Sequence, residues 1–136
     1  MPGVEEAHPL EHGAGDQDGL DEVREDFHAA MDIWQEVQPW RMGPLIANGR
    51  DQHIEYWPDK HGTATRQFRK LMFDKPAIYT DREKIADTSA ALQGFPALEQ
   101  VLFDDKLSPK LLGDDEDGVF LCGYGGAIGA NLARIT

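Results

Sequence analysis

The residues with the clearest potential for metal chemistry lie on one predicted helix. Glu25, His28 and Asp32 are spaced by three and four residues, so a helix would place a Glu-x-x-His pair beside a further carboxylate, as carboxylate-bridged sites in helical bundles require. Such sites need a second pair on a facing helix, and the only other pair in the sequence, Glu5 with His8, falls in a predicted disordered tail. The pattern therefore favours a solvated helix face.

The amino-terminal segment 1–18 combines acids, Gly and Pro with hardly any large apolar side chains, which predicts a disordered acidic tail because little burial can offset the entropy of ordering it. Imidazoles and carboxylates in this tail are competent ligands for a transition metal. They are His8, His12, Glu5, Glu6 and Glu11. An unstructured cluster would show little selectivity, so we interpret these residues as chance neighbours.

Two features near the carboxyl end could be compared with a phosphate-binding loop and with a catalytic cysteine. The glycine-rich segment 123–129 matches neither GxGxxG nor GxxxxGK[ST], and no strand is predicted before it, which favours close helix packing through small residues. Cys122 is the single cysteine and has no basic neighbour to favour a thiolate, so we expect a small buried side chain and no internal disulfide. Gly-x-Ser-x-Gly and His-Glu-x-x-His are both absent from the sequence, which removes two common hydrolase signatures.

Hydrophobic periodicity predicts an all-α protein, a partial up-down helical bundle of about four helices. The first helix is predicted from an N-cap at Asp18 to about Gln38, where Pro39 ends it. An ordered connection with a short helical turn is expected over 40–59, followed by a basic helix from Thr63 to Met72. A long helix is predicted from Thr80 or Asp81 to about Phe103, kinked near 92–96 by Gly94 and Pro96, and a last one from Val119 to Ile135.

Length and charge limit the functions that the chain can have. Its 136 residues fit one domain, and a formal net charge of -12 disfavours nucleic acid, while an acidic surface suits a cation or a basic protein partner. The segment 118–135 is too short and too rich in glycine to be a membrane span. We expect no export signal in the first 19 residues, which are acidic and contain no apolar run.

Several local signatures, in the same order, resemble the imelysin family. They are Phe27-His-Ala-Ala-Met-Asp-Ile-Trp34 followed by Gly43-Pro44, Ile54-Glu-Tyr-Trp-Pro-Asp59 with Arg66-Gln67, Ala91-Leu-Gln-Gly-Phe-Pro-Ala-Leu-Glu-Gln-Val-Leu-Phe103, and Cys122 with Ala127-Ile128 and Asn131-Leu-Ala133. Family members include bacterial envelope proteins linked to iron uptake and a group nominally classed as peptidases. The longer full-length members have two helical bundles, usually after an export signal or lipoprotein anchor. The resemblance thus implies a truncated domain over 19–136 and a location in the periplasm or cell envelope.

The family's best-known motif, Gly-x-His-x-x-Glu, is matched here by Gly94, Pro96 and Glu99. Because proline has no ligating atom, the resemblance leaves Glu99 as the only candidate ligand for iron or another divalent metal, and a single carboxylate holds a cation weakly. We expect Glu99 to pair instead with Arg66 or Arg69 of the preceding helix. His53 or His61 would alter this expectation only if folding brought one of them to Glu99.

Three functions remain open from the sequence. The first, which the missing imidazole favours, is a non-enzymatic imelysin-like envelope module linked to iron handling or scaffolding. The second is a metal-dependent peptidase-like protein with a degenerate motif, which would need three protein ligands and an activated water. The third is a fragment of a longer reading frame without independent function, which would expose apolar helix faces and tend to self-associate or unfold.

Overall fold

The computed structural model describes residues 16–40, 42–43, 46–56 and 62–135. Five α-helices and several short 3-10 turns make up this part of the chain, which contains no strand, so the predicted all-α class is confirmed. The helices are α1 (Gln17–Val37), α2 (Arg50–Ile54), α3 (Thr63–Asp74), α4 (Phe95–Phe103) and α5 (Glu116–Ile135). Residues 1–15 of the predicted tail, the signature Trp57-Pro58-Asp59 and His61 lie outside the described residues.

The first helix begins two residues earlier than predicted. Asp16, and not Asp18, is the N-cap, because its Oδ1 accepts a hydrogen bond of 2.7 Å from the backbone N–H of Gly19. Helix α1 buries Leu20, Phe27 and Trp34, one residue every two turns, against α4 and its surroundings. It ends at Val37, close to the predicted end, and a 3-10 turn over 38–40 follows.

The connection and the basic helix form largely as predicted. The connection contains a 3-10 turn at Ala47–Gly49 that leads directly into the short helix α2. Gly49 has a φ of 71°, a conformation that glycine adopts without strain. Helix α3 runs two residues beyond the predicted Met72 and stops at Lys75, just before Pro76.

The long kinked helix predicted over 80–103 does not form as one element. Residues 77–92 make three 3-10 turns, at Ala77–Thr80, Lys84–Asp87 and Ala90–Leu92, and α4 begins only at Phe95. Gly94 is its extended N-cap, and Pro96 occupies its first turn, where a missing N–H costs nothing. The prediction was wrong because successive 3-10 turns bury Ile85 and Leu92 in the core with the same apolar spacing that a helix would show.

Helix α5 is the central element of the described fold. It contacts α4, α2 and the 3-10 turns at 77–80, 84–87 and 108–112. Because neighbours cover it on most sides, ten of its twenty residues are buried, as expected for a helix that is apolar around most of its circumference. Its fully buried side chains include Leu121, Tyr124 and Ile128, so the last helix, predicted from Val119, forms the centre of the core.

Candidate functional site

Glu99, the only candidate metal ligand at the family motif, is exposed on the outer side of α4. It lines an open groove of about 540 Å³ between α3 and α4. Apolar side chains from both helices and the loop after α4 contribute to the groove, namely Phe68, Met72, Ala97 and Leu107. The charged residues that line it are Glu55, Glu99, Asp104, Arg69 and Lys106. The groove therefore combines apolar surface with three carboxylates and two cations.

The donor set at the family motif does not fit a catalytic metal. Pro96 stands three residues before Glu99 on α4 and lines the same groove, but it offers no ligating atom. Among the described residues no group of three or more His, Cys, Asp or Glu side chains is arranged to hold a metal ion. A catalytic metal requires about three protein ligands and a water, so Glu99 alone does not supply the set.

The structure does not form the ion pair that we predicted for Glu99. Arg69 lines the groove with Glu99, but neither Arg69 nor Arg66 forms an ion pair with Glu99. His53 lies on α2, its ring forms a hydrogen bond with Gln93, and it does not line the groove that contains Glu99. Glu99 therefore remains a solvated carboxylate at the edge of the groove.

The other candidates from the sequence take the positions expected of structural residues. Glu25, His28 and Asp32 are all exposed on α1, and the ring of His28 lies 5.0 Å from that of Phe103. This arrangement agrees with a solvated helix face. Cys122 is 1% exposed and directs its Sγ toward the carbonyl of Leu111, as expected for a small buried side chain.

The glycine-rich segment packs closely against neighbouring elements, as predicted. A Cβ placed at Gly123 would lie 3.1 Å from the Cγ2 atom of Thr80, and one at Gly126 would lie 3.0 Å from the guanidinium of Arg82. A larger side chain at Gly123 would press against Thr80, because interiors are close-packed, whereas the flexible side chain of Arg82 can move away from one at Gly126. Gly123 therefore serves helix packing, and the segment is part of α5 and not a phosphate-binding loop.

A buried polar cluster that the sequence did not predict centres on Gln93. Its Nε2 donates to the backbone carbonyls of Ile85 and Thr88 at 3.1 and 3.0 Å. Its Oε1 accepts from Asn131 Nδ2 at 3.1 Å and lies 2.7 Å from His53 Nδ1. Gln93 thereby joins α2, α5 and the 3-10 turns through side-chain and backbone hydrogen bonds.

A buried tyrosine supports the same region. The hydroxyl of Tyr124 donates a 2.6 Å hydrogen bond to the carbonyl of Leu92, next to Gln93, and burial raises the pKa of this phenol. The only signal in the sequence for the cluster is the presence of Gln93 and Asn131 within apolar runs. Both residues belong to the segments that resemble the family.

The described fold is that of an all-helical protein with a buried central helix, in which the helix that carries Glu99 begins at a Gly-x-Pro segment. A profile of the imelysin family, peptidase family M75, matches residues 13–136, and the chain belongs to this family. No curated protein and no solved structure gives a significant match to the chain. None of the helices in the described ranges is long and apolar enough to cross a membrane.

Proposed function

We propose that this chain is a non-enzymatic imelysin module of a bacterial cell-envelope protein, linked to iron handling. The observation that carries the non-enzymatic part is the proline at the ligand position of the family motif. Pro96 lies in the first turn of α4, three residues before the exposed carboxylate of Glu99. Membership of the imelysin family supports the envelope and iron parts of the proposal.

The proposal predicts that the motif binds metal ions only weakly because it lacks an imidazole ligand. A His and a Glu three residues apart on a helix lie on neighbouring positions of one face, so Pro96→His should create a two-ligand site with Glu99. We expect calorimetric titration with Fe²⁺ and Zn²⁺ to give similar weak binding for the natural chain and Glu99→Ala. Pro96→His should bind more tightly and lose this gain when Glu99→Ala is added.

The alternative, a metal-dependent peptidase with a degenerate motif, predicts the opposite result. Tight binding by the natural chain that Glu99→Ala abolishes would overturn our proposal, provided that Glu25→Ala leaves it unchanged. Glu25 is a suitable control because it is also an exposed glutamate on a helix. Hydrolysis of a mixed peptide library that stops on addition of a chelator would establish the alternative directly.

The location and the link to iron need tests in cells. We expect fractionation of a bacterium that expresses the natural gene to place the product in the periplasm or another envelope fraction. We also expect the amount of the product to change with the iron supply. A product confined to the cytosol would contradict the envelope proposal, and a constant amount with no growth defect of the deletion strain under iron limitation would contradict the iron proposal.

Self-association through exposed helix faces is a further part of the proposal. Ile33 and Trp40 are 63% and 68% exposed, and Val37 between them is 42% exposed. Their spacing of four and three places them along one side of α1 and the turn that follows it. Large exposed apolar patches commonly mark interaction sites, so we propose that a second copy covers this one.

Sedimentation of purified protein tests the self-association. We expect the natural chain to form oligomers, and the double variant Ile33→Gln, Trp40→Gln to shift the distribution toward monomer. Phe73→Gln is the matched control, since Phe73 is 87% exposed on α3, and it should have little effect. A natural chain that sediments as a monomer and melts cooperatively would contradict both self-association and the alternative of a fragment without independent function.

A further inference from the structure

Helix α1 carries one exposed stripe whose two halves differ in chemistry. The apolar half is the patch proposed above for self-association, which consists of Ile33, Val37 and Trp40. Glu22, Asp26 and Ala29 precede Ile33 at spacings of four, three and four residues, and all three are exposed. Residues spaced in this way lie along the same side of a helix. The stripe is therefore acidic toward the start of α1 and apolar toward its end.

The acidic half of the stripe has no cation to offset it. Helix α1 carries seven Asp and Glu residues and a single arginine, Arg24, whose Nε donates to the carbonyl of Leu102. Neither Glu22 nor Asp26 forms an ion pair with any residue that the structure describes. Because the whole chain has a formal net charge of -12, the acidic half of the stripe repels the same half of a second copy.

The apolar half of the stripe is self-complementary under a two-fold rotation. Ile33 lies four residues before Val37, and Trp40 lies three residues after it. A two-fold axis that passes beside Val37 and is perpendicular to α1 therefore sets Ile33 of each copy beside Trp40 of the other. A branched aliphatic side chain against a flat indole buries a large apolar area, and the symmetry forms this contact twice. The patch thus fits a second copy of itself.

The acidic half of the stripe decides between the two ways in which the helices can pair. In a parallel pair each residue faces its own copy, so Glu22 meets Glu22 and Asp26 meets Asp26. In an antiparallel pair about Val37, Asp26 lies eleven residues from the axis, which separates the two Asp26 residues by about 33 Å at 1.5 Å per residue. This separation exceeds the Debye length of about 8 Å in physiological salt. Antiparallel pairing therefore covers the patch without bringing the acidic halves together.

We propose that two copies of the chain pair in antiparallel orientation through this stripe, with Ile33 of each copy against Trp40 of the other. The inference rests on the self-association proposed above and adds its geometry. Because both copies use the same patch, the contact is closed and leaves no equivalent patch for a third copy. The assembly is therefore a dimer, in which the two acidic halves point away from each other.

Cysteine cross-linking distinguishes the two orientations. Cys122 is 1% exposed, so the natural chain should not cross-link and serves as the negative control. Val37→Cys lies beside the axis and should form a disulfide between the copies on oxidation by dissolved oxygen. The two copies of Ala29→Cys should lie about 24 Å apart along the helices, beyond the Cα separation of about 7 Å that a disulfide can span. We expect this variant to remain without a cross-link on a non-reducing gel.

Sedimentation of the reduced variants separates a wrong geometry from a failure of the self-association. A dimer that cross-links through Ala29→Cys as efficiently as through Val37→Cys would overturn the antiparallel arrangement and leave the self-association intact. A dimer that cross-links at neither position would have its interface elsewhere and would also overturn the inference. A natural chain that remains a monomer would refute the self-association itself, and the inference with it.

Charge reversal tests the orientation without a cysteine. In the double variant Glu22→Lys, Asp26→Lys the acidic half of the stripe becomes basic. Antiparallel pairing keeps these positions apart, so native mass spectrometry of an equimolar mixture with the natural chain should show heterodimers about twice as abundant as either homodimer. The matched control, Glu83→Lys with Asp87→Lys, makes the same change of charge at exposed positions outside α1 and should give the same ratio. An excess of heterodimers with the first variant alone would show that the acidic halves face each other and would refute the antiparallel arrangement.

Discussion

Gly94, the first residue of the family motif, lies where another chain segment approaches its backbone most closely. A Cβ at this position would be 2.4 Å from the carbonyl oxygen of Ile54 and 2.8 Å from that of His53. Both neighbours are backbone atoms at the end of α2, so no side-chain rotation relieves the contact. The structure therefore predicts that Gly94→Ala forces α2 and α4 apart.

The expected cost follows from the packing and not from the backbone conformation of Gly94. Its φ of -107° is accessible to alanine, so the substitution introduces no dihedral strain. Overpacking by one methyl group typically costs about 1–3 kcal/mol, and separating the helices would also strain the hydrogen bond between His53 and Gln93. We expect Gly94→Ala to lower the free energy of unfolding by about 2 kcal/mol or more.

Equilibrium unfolding in urea, monitored by circular dichroism, measures this change. Gly129→Ala is the matched control, because Gly129 lies within α5 and a Cβ there meets no atom within 4 Å. Alanine is the better helix former by about 0.5–1 kcal/mol, so this variant should be slightly more stable than the natural chain. Equal stability of Gly94→Ala and the natural chain would refute the close approach of α2 and α4.

Two further predictions concern polar groups. Gln93→Leu should lower the free energy of unfolding in the same assay by more than about 2 kcal/mol, because it leaves buried Asn131 without its partner. A decrease of only a few tenths of a kcal/mol would contradict the stabilising role of the polar cluster around Gln93. The Lys110 and Lys75 ammonium groups lower the pKa of Asp117 from its ordinary value to about 2. The ionised Asp117 therefore stabilises the fold above its ordinary pKa, and this stabilisation is lost as the pH falls toward about 2. Asp117→Asn should reduce the loss of unfolding free energy in acid by up to about 1 kcal/mol. Parallel pH profiles of stability for the variant and the natural chain would refute this contribution.

Local sequence patterns predicted α1, α3 and α5 well because the causes of these helices are local. The stripe of apolar residues on α1 and the proline after α3 act within a few residues of the chain, and the structure confirms both elements. The prediction of a helix from residue 80 was wrong for the segment before Phe95, because Ile85 and Leu92 are buried in 3-10 turns as they would be in a helix. Periodicity alone does not distinguish a series of 3-10 turns from an α-helix over so short a segment.

The candidate sites also differ in whether the sequence alone could predict them. The sequence alone determined that the motif lacks its imidazole, because the identity of Pro96 is sufficient for that conclusion. It offered no means of relating His53, Gln93 and Asn131, which are separated by 40 and 38 residues and meet only in the folded chain. Hydrogen bonds of this kind depend on distances between elements, which local patterns do not specify.

The sequence by itself determined the all-helical class, the resemblance to imelysins and the loss of the motif histidine. Each of these follows from residue types and from spacings of a few positions. Only the tertiary structure decided that the backbone of Gly94 lies against that of Ile54, since this is a contact between distant segments. It also decided that the Oδ1 atom of Asn131 is buried near His53 without a hydrogen-bond partner, because burial and hydrogen-bond partners are properties of the packed chain.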